Sequence, residues 1–127
     1  MIRYILFFIV FGFLGWCIDS LYCSFIEKKW VSKTHTKLFS FTYAIGGLIL
    51  ILLFENLKIH FILQLLIATI LLVLVELFSG IFSVKVIKKR YWNYSKNKWN
   101  YKGHIDALHT FYWLLLAIVF RVVMYLV

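Results

Sequence analysis

Four apolar segments separated by polar loops are the feature that most constrains this chain. They cover residues 4–26, 38–54, 61–84 and 105–127. A helix needs about 20 apolar residues to cross the ~30 Å hydrocarbon core of a bilayer, and only the second segment falls short of that length. None of the segments has the alternating pattern of a barrel strand. The sequence therefore predicts an all-α integral membrane bundle of four transmembrane helices, in a single transmembrane domain spanning residues 1–127.

The composition argues against a water-soluble alternative. Of the 127 residues, 64% are hydrophobic, and the mean hydropathy is +0.91. A soluble domain of this size cannot bury so much apolar surface. The net charge is +9, but the basic residues lie beside the apolar segments, where anionic lipid is a nearer partner than nucleic acid. We therefore expect a multi-pass protein of the plasma membrane that contacts anionic headgroups and binds no nucleic acid.

The basic residues are distributed unevenly among the loops. Loop 1 (27–37) holds four lysines, and loop 3 (85–103) holds seven lysines and arginines, out of 14 such residues in the chain. The two loops share one side of a four-helix topology, and loops rich in Lys and Arg stay in the cytoplasm. The sequence therefore predicts that loops 1 and 3 are cytoplasmic and that both termini lie on the non-cytoplasmic side.

Loop 3 is also rich in aromatic residues. Tyr and Trp favour the headgroup layer, so an interfacial belt over anionic lipid is one interpretation. The other is a loop that folds back to close the cytoplasmic mouth of a site, or that docks a partner. On the second interpretation the gate or interface residues are Trp92, Asn93, Tyr94, Trp99 and Gly103.

Ionisable side chains within the apolar segments are the strongest functional signal, because a charge in hydrocarbon is costly. Asp19 and Glu76 lie roughly 12–14 Å from the cytoplasmic ends of their predicted helices, at 1.5 Å per residue. His109 lies roughly 10 Å in, counted from Lys102. These depths allow the three side chains to share one layer of the bundle.

Small and polar residues follow one face of each segment. Gly12, Gly15, Asp19 and Tyr22 form such a stripe in the first segment. Glycines on that stripe permit close helix approach. We expect an interior site in which Asp19 and Glu76 bind a proton, a cation or a cationic small molecule. His109 and Asp106 would tune or relay it, and the pocket would be lined by Tyr22, Tyr43 and Trp113.

Three functions stay open at this point. The first is a small transporter or permease-like subunit, and the second is a structural, regulatory or pore-forming protein whose buried acids only stabilise helix packing. The third is a membrane enzyme acting on lipid headgroups. The sequence has no metal-ligand set, nucleophile elbow or phosphate loop, so we predict no catalytic residue, metal site or cofactor. Four helices leave little room for a translocation path within one chain, so we expect a homo-oligomer or a partner membrane subunit. Any ATPase would be on a separate chain.

Five short motifs resemble, in order, those of the ABC-transporter type IV family, which is also labelled CmpB. They are Phe13-Leu14-Gly15-Trp16 followed by Asp19, Tyr43-Ala44-Ile45-Gly46-Gly47, Glu76-Leu77-Phe78-Ser79-Gly80, Trp92-Asn93-Tyr94-Ser95, and Asn100-Tyr101-Lys102-Gly103. The resemblance implies a multi-helix prokaryotic membrane protein and a permease component of an ABC transporter. The chain departs from the family pattern at three positions, and it also lacks the prolines that the family has before the second helix. Asp19 stands where the family has Glu, Asn93 where it has Asp, and His104 where it has Arg.

Overall fold

A computed structural model describes residues 1–29 and 39–126 of the chain. It contains four α-helices, which are α1 (Ile2–Glu27), α2 (Phe41–Asn56), α3 (Phe61–Phe82) and α4 (Ala107–Leu126). A π-helical turn, Ser83–Ile87, extends α3. The predicted all-α class is confirmed for this part of the chain, which includes no strand. Most of loop 1, residue 38 of the predicted second helix and residue 127 of the fourth lie outside the described residues.

Three of the helices are long and apolar enough to cross a membrane, namely α1, α3 with its π-helical turn, and α4. The described residues thus belong to a membrane protein. Helix α2 has only 16 residues, and its length is about 24 Å at 1.5 Å per residue. This is shorter than the ~30 Å hydrocarbon core. The fourth transmembrane helix stays a prediction.

The chain forms two compact units. Unit 1, Met1–Leu48, contains α1 and the first half of α2. Glycines bring the two helices of unit 1 together. Gly15 in α1 lies against the Tyr43 ring and Gly47 in α2 against Phe11, so close that neither glycine has room for a Cβ atom. Small residues give this close approach in membrane helices generally.

Unit 2, Ile49–Val127, contains the second half of α2, helices α3 and α4, and the α3–α4 connection (88–106), which includes most of loop 3. Its buried apolar residues recur at helical spacing on all three helices. They are Leu50, Ile51, Phe54, Leu65, Ala68, Leu72, Trp113, Ala117 and Phe120. Many other large apolar side chains are exposed at the protein surface, as is normal for a bundle whose solvent is hydrocarbon.

Helix α4 begins where a carboxylate caps it. Asp106 precedes the helix, and its Oδ1 accepts a hydrogen bond from the backbone N–H of His109 at 2.8 Å. This is the N-cap arrangement, in which a side chain satisfies one of the unpaired N–H groups of the first turn. The helix therefore starts at Ala107, two residues after the predicted start.

Candidate functional site

The carboxylate of Glu76 is the centre of the polar site in unit 2. Glu76 lies in α3 and is 5% exposed. Its Oε1 accepts a hydrogen bond from the hydroxyl of Tyr94 at 2.9 Å, and its Oε2 accepts one from the indole N–H of Trp113 at 2.6 Å. The two donors come from the α3–α4 connection and from α4. One carboxyl group therefore links three parts of unit 2 through two hydrogen bonds.

Aromatic rings surround this group. The Tyr94 ring is stacked on the imidazole of His109, with 3.8 Å between centroids and 9° between planes. The Tyr112 ring lies edge-on to His109, with 5.5 Å between centroids. Trp113 is buried beside the carboxylate. The Tyr94 and Trp113 rings thus meet Glu76 through their polar edges, the hydroxyl and the indole N–H.

Asp106 and His109 form a second polar pair next to this cluster. Asp106 is 3% exposed, and its Oδ1 lies 2.7 Å from the Nδ1 of His109. Its Oδ2 accepts a hydrogen bond from the side-chain amide of Asn97. The carboxylate thus fixes the orientation of the imidazole while it caps α4. Since α4 begins at Ala107, His109 lies in its first turn, closer to the helix end than the depth predicted from Lys102.

The α3–α4 connection is folded by its own hydrogen bonds. The backbone N–H of Tyr94 donates to the carbonyl of Gly103 at 2.9 Å, and the N–H of Gly103 donates to Oδ1 of Asn100 at 3.1 Å. Gly103 has a φ of +73°, which other residues adopt only with strain. The side-chain amide of Asn100 donates in turn to the carbonyl of Asn97 at 2.9 Å. These bonds hold Tyr94 in position over Glu76.

His104 attaches the connection to α3. Its ring lies against Gly80, one helical turn beyond Glu76, where an added Cβ would lie 2.5 Å from the Nδ1 of His104. The indole of Trp92 donates to the carbonyl of His104 at 2.8 Å. Burial, together with the positive charges of Arg90 and Lys102, lowers the pKa of His104 from its usual 6.5. The imidazole is therefore neutral at pH 7.

Asp19 belongs to a separate polar contact in unit 1. Its Oδ1 accepts a hydrogen bond from the hydroxyl of Tyr43 at 3.1 Å, next to the close contact between Gly15 and Tyr43. Tyr22, which was expected to line the same pocket, is an exposed side chain of α1. Asp19 lies in unit 1 and Glu76 in unit 2, and their common layer stays a prediction.

The predicted gate residues have different positions. Trp92, Tyr94 and Gly103 take part in the contacts that hold the connection over α3. Asn93 stabilises the following turn, where its Oδ1 accepts a hydrogen bond from the N–H of Ser95 at 3.0 Å. Trp99 is 85% exposed. The structure thus brings together Glu76, His109, Asp106, Trp113 and Tyr94, and leaves Trp99 on the surface.

Sequence reasoning missed the contributions of Asn97, Asn100 and His104. Asparagines in a polar loop normally face water, and nothing in their spacing indicated bonds to Asp106 or Gly103. Asn100 opens the motif that ends at Gly103, and His104 directly follows it, so their positions at this motif were the available signals. Among the described residues, no group of three or more His, Cys, Asp or Glu side chains is arranged to hold a metal ion.

Comparison with known proteins gives one match. A family model described as "Putative ABC-transporter type IV" matches residues 6–127. No curated protein and no solved structure gave a significant match to the chain.

Proposed function

Because the chain belongs to the ABC-transporter type IV family, we propose that it is a permease-like subunit of a membrane transporter in which Glu76 binds a proton or a cationic solute. The observation that supports this most is the position of Glu76. It lies in an apolar helix, is almost fully buried, and receives hydrogen bonds from Tyr94 and Trp113.

The chemistry of the two donors favours a positively charged ligand. A phenol hydroxyl and an indole N–H are neutral, so they orient the carboxylate without cancelling its charge. A carboxylate in a low-dielectric span is stabilised by taking up a proton or by binding a cation.

The α3–α4 connection would serve as the cytoplasmic gate of this site. The Tyr94 side chain, which belongs to the connection, bonds Glu76, so movement of the connection would break that bond and open the carboxylate. His109 would relay a proton beside the gate. In this role the Nδ1–H of His109 donates to Asp106. Proton exchange then takes place at Nε2, on the opposite side of the His109 ring.

Unit 1 would supply a second acidic station. Asp19 with its partner Tyr43 offers the same combination of carboxylate and phenol as Glu76 with Tyr94. In this proposal Asp19 also binds the proton or cationic solute, and Tyr22 flanks it. A homo-oligomer or a partner membrane subunit would complete the path, and an ATPase would be a separate chain.

The proposed topology has four spans in the plasma membrane, with cytoplasmic loops 1 and 3 and both termini outside. If α2 did not cross, loops 1 and 3 would lie on opposite sides, and their four and seven basic residues would oppose each other across the bilayer. The positive-inside rule disfavours that arrangement. Local thinning of the bilayer accommodates a short helix at modest cost.

Flux measurements in proteoliposomes test the role of Glu76. We expect Glu76→Gln to abolish proton flux, followed with an entrapped pH dye, or uptake of ethidium as an organic cation. The amide keeps the shape of the side chain and removes its charge. Glu55→Gln, which removes an acid near the end of α2, is the matched control and should retain the wild-type rate.

Two results would contradict the proposal. One is a Glu76→Gln variant that keeps wild-type flux and loses only thermal stability, which would assign the carboxylate to helix packing. The other is equal loss of flux in Glu76→Gln and Glu55→Gln, which would show a general effect of charge.

A further inference from the structure

Arg121 lies on α4 far from Glu76 in sequence and plays no part in the proposed path. Its Nε is 3.4 Å from Oε1 of Gln64, and its guanidinium carbon lies 5.8 Å from the centre of the Phe54 ring. Gln64 is 4% exposed, and its amide N–H donates to the carbonyl of Leu57 at 2.6 Å. That bond turns the oxygen of Gln64 toward Arg121. The guanidinium is therefore held in a defined place by two neutral groups.

The positive charge of Arg121 has no acidic partner in the part of the chain that the structure describes. There the only contacts of its guanidinium are those with Gln64 and Phe54. A cation on an apolar helix is costly unless an opposite charge compensates it. A guanidinium has five N–H donors in a planar fork, which matches the oxygens of a phosphate. The site is thus suited to an anionic group.

A cleft of about 200 Å³ adjoins this cation. Its lining residues are Phe61, Arg121, Val122 and Tyr125. Apart from the guanidinium, the walls are aromatic and aliphatic. Phe61 and Tyr125 are exposed at the protein surface, so a chain-like apolar ligand could enter from the side.

We infer that this cleft binds an anionic phospholipid. Its phosphate would pair with Arg121, and its glycerol backbone and upper acyl chain would lie against Phe61, Val122 and Tyr125. Charge complementarity selects the anionic headgroup, and the apolar walls select a lipid over a free phosphate ion. Because neither the ligand nor its residues belong to the Glu76 site, the inference stands independently of the proposed function.

Native mass spectrometry of the detergent-solubilised protein tests the inference. Phosphatidylglycerol is titrated against wild type, and we expect Arg121→Gln to weaken the tightest binding event by about tenfold, the value of one charge-assisted contact. Lys58→Gln removes an exposed cation from the α2–α3 loop, outside the cleft. This matched control should bind phosphatidylglycerol like wild type.

A steric variant keeps the test independent of the charge. Val122→Trp should fill the cleft and weaken lipid binding while Arg121 is retained. Val119→Trp, on α4 but outside the cleft, should not. Circular dichroism and a single elution peak establish that each variant is folded. Arg121→Lys, which keeps the charge and loses the fork, should bind with intermediate affinity.

Three outcomes would overturn the inference. Equal weakening by Arg121→Gln and Lys58→Gln would mean diffuse attraction to net charge. Equal affinity for phosphatidylcholine and phosphatidylglycerol would mean that the cleft binds only the apolar chains. Displacement of phosphatidylglycerol by inorganic phosphate would mean a site for a soluble anion.

Discussion

His104 joins the α3–α4 connection to α3 at Gly80, beside the bond between Tyr94 and Glu76. It fits only because Gly80 has no side chain, and it is buried next to the positive charges of Arg90 and Lys102. Burial and the two positive charges disfavour a protonated imidazole. The contact therefore depends on a neutral ring, and it lies one helical turn from Glu76.

The lowered pKa of His104 predicts that the connection loosens in acid. Its folded pKa lies below the usual 6.5, so below that pH the unfolded chain binds more protons than the folded one. Stability is complete above pH 6.5 and falls as the pH drops toward the folded pKa. Hydrogen exchange of residues 92–104 is measured at about pH 8 and about pH 5, and each rate is divided by the intrinsic rate at that pH. The corrected exchange should be faster at about pH 5.

A neutral replacement provides the control for this prediction. His104→Gln cannot be protonated, so its protection pattern should change little between the two pH values. An equal acid-induced loss of protection in His104→Gln and wild type would show that another group is responsible.

The polar site was predictable from the sequence only in part. Glu76 and Trp113 were found because an ionisable residue in an apolar run is rare and because helical spacing places Trp113 on an inner face. The Tyr94–Glu76 bond was not, since Tyr94 lies in a loop whose course depends on the hydrogen bonds of Asn100 and Gly103. Such bonds are decided by three-dimensional geometry, which single-residue preferences do not specify.

At the scale of elements, the start of α4 depends on the side chain of Asp106. Replacing an N-cap aspartate by alanine costs about 1 kcal/mol. We expect Asp106→Ala to lower the unfolding free energy by about that amount or more, because its bonds to His109 and Asn97 are lost as well. Hydrogen exchange at 107–110 measures the effect locally, and chemical denaturation in detergent measures it globally.

Asparagine at the same position separates the cap from the charge. Asp106→Asn keeps an oxygen for the His109 N–H, so it should retain most of the helix protection. If Asp106→Ala left exchange at 107–110 unchanged, the cap would contribute nothing to α4.

The helices themselves were predicted well, because long apolar runs have few alternatives in a membrane. The ends of the helices were harder to predict. The π-helical turn at Ser83–Ile87 carries α3 beyond its predicted end and stops at Lys88, which has a φ of +62°. The sequence there has no glycine or proline to mark a stop. The turn ends where the backbone N–H groups of Lys88 and Lys89 donate to the carbonyl of Ser83.

At the scale of the whole molecule, the proposed four-span topology predicts which loops face which side. In a variant lacking Cys17 and Cys23, a cysteine placed at Lys58 should react with an impermeant maleimide on intact cells. A cysteine at Lys98 should react only after permeabilisation. The reason is the excess of basic residues in loops 1 and 3.

A cysteine at Glu27 or Lys28, at the end of α1, decides whether α2 crosses. We expect it to be protected on intact cells, like the cysteine at Lys98. Labelling of the α1 end from outside, with Lys98 still protected, would show that α2 does not span the membrane.

The account rests on the carboxylate of Glu76 as the group that takes up a proton or cation, and infrared difference spectroscopy observes that group directly. Wild type, Glu76→Gln and Glu55→Gln are reconstituted in lipid, and the pH or the ethidium concentration is changed. We predict a carboxyl signal that responds in wild type and Glu55→Gln and is missing in Glu76→Gln. Identical difference spectra from all three proteins would contradict the account.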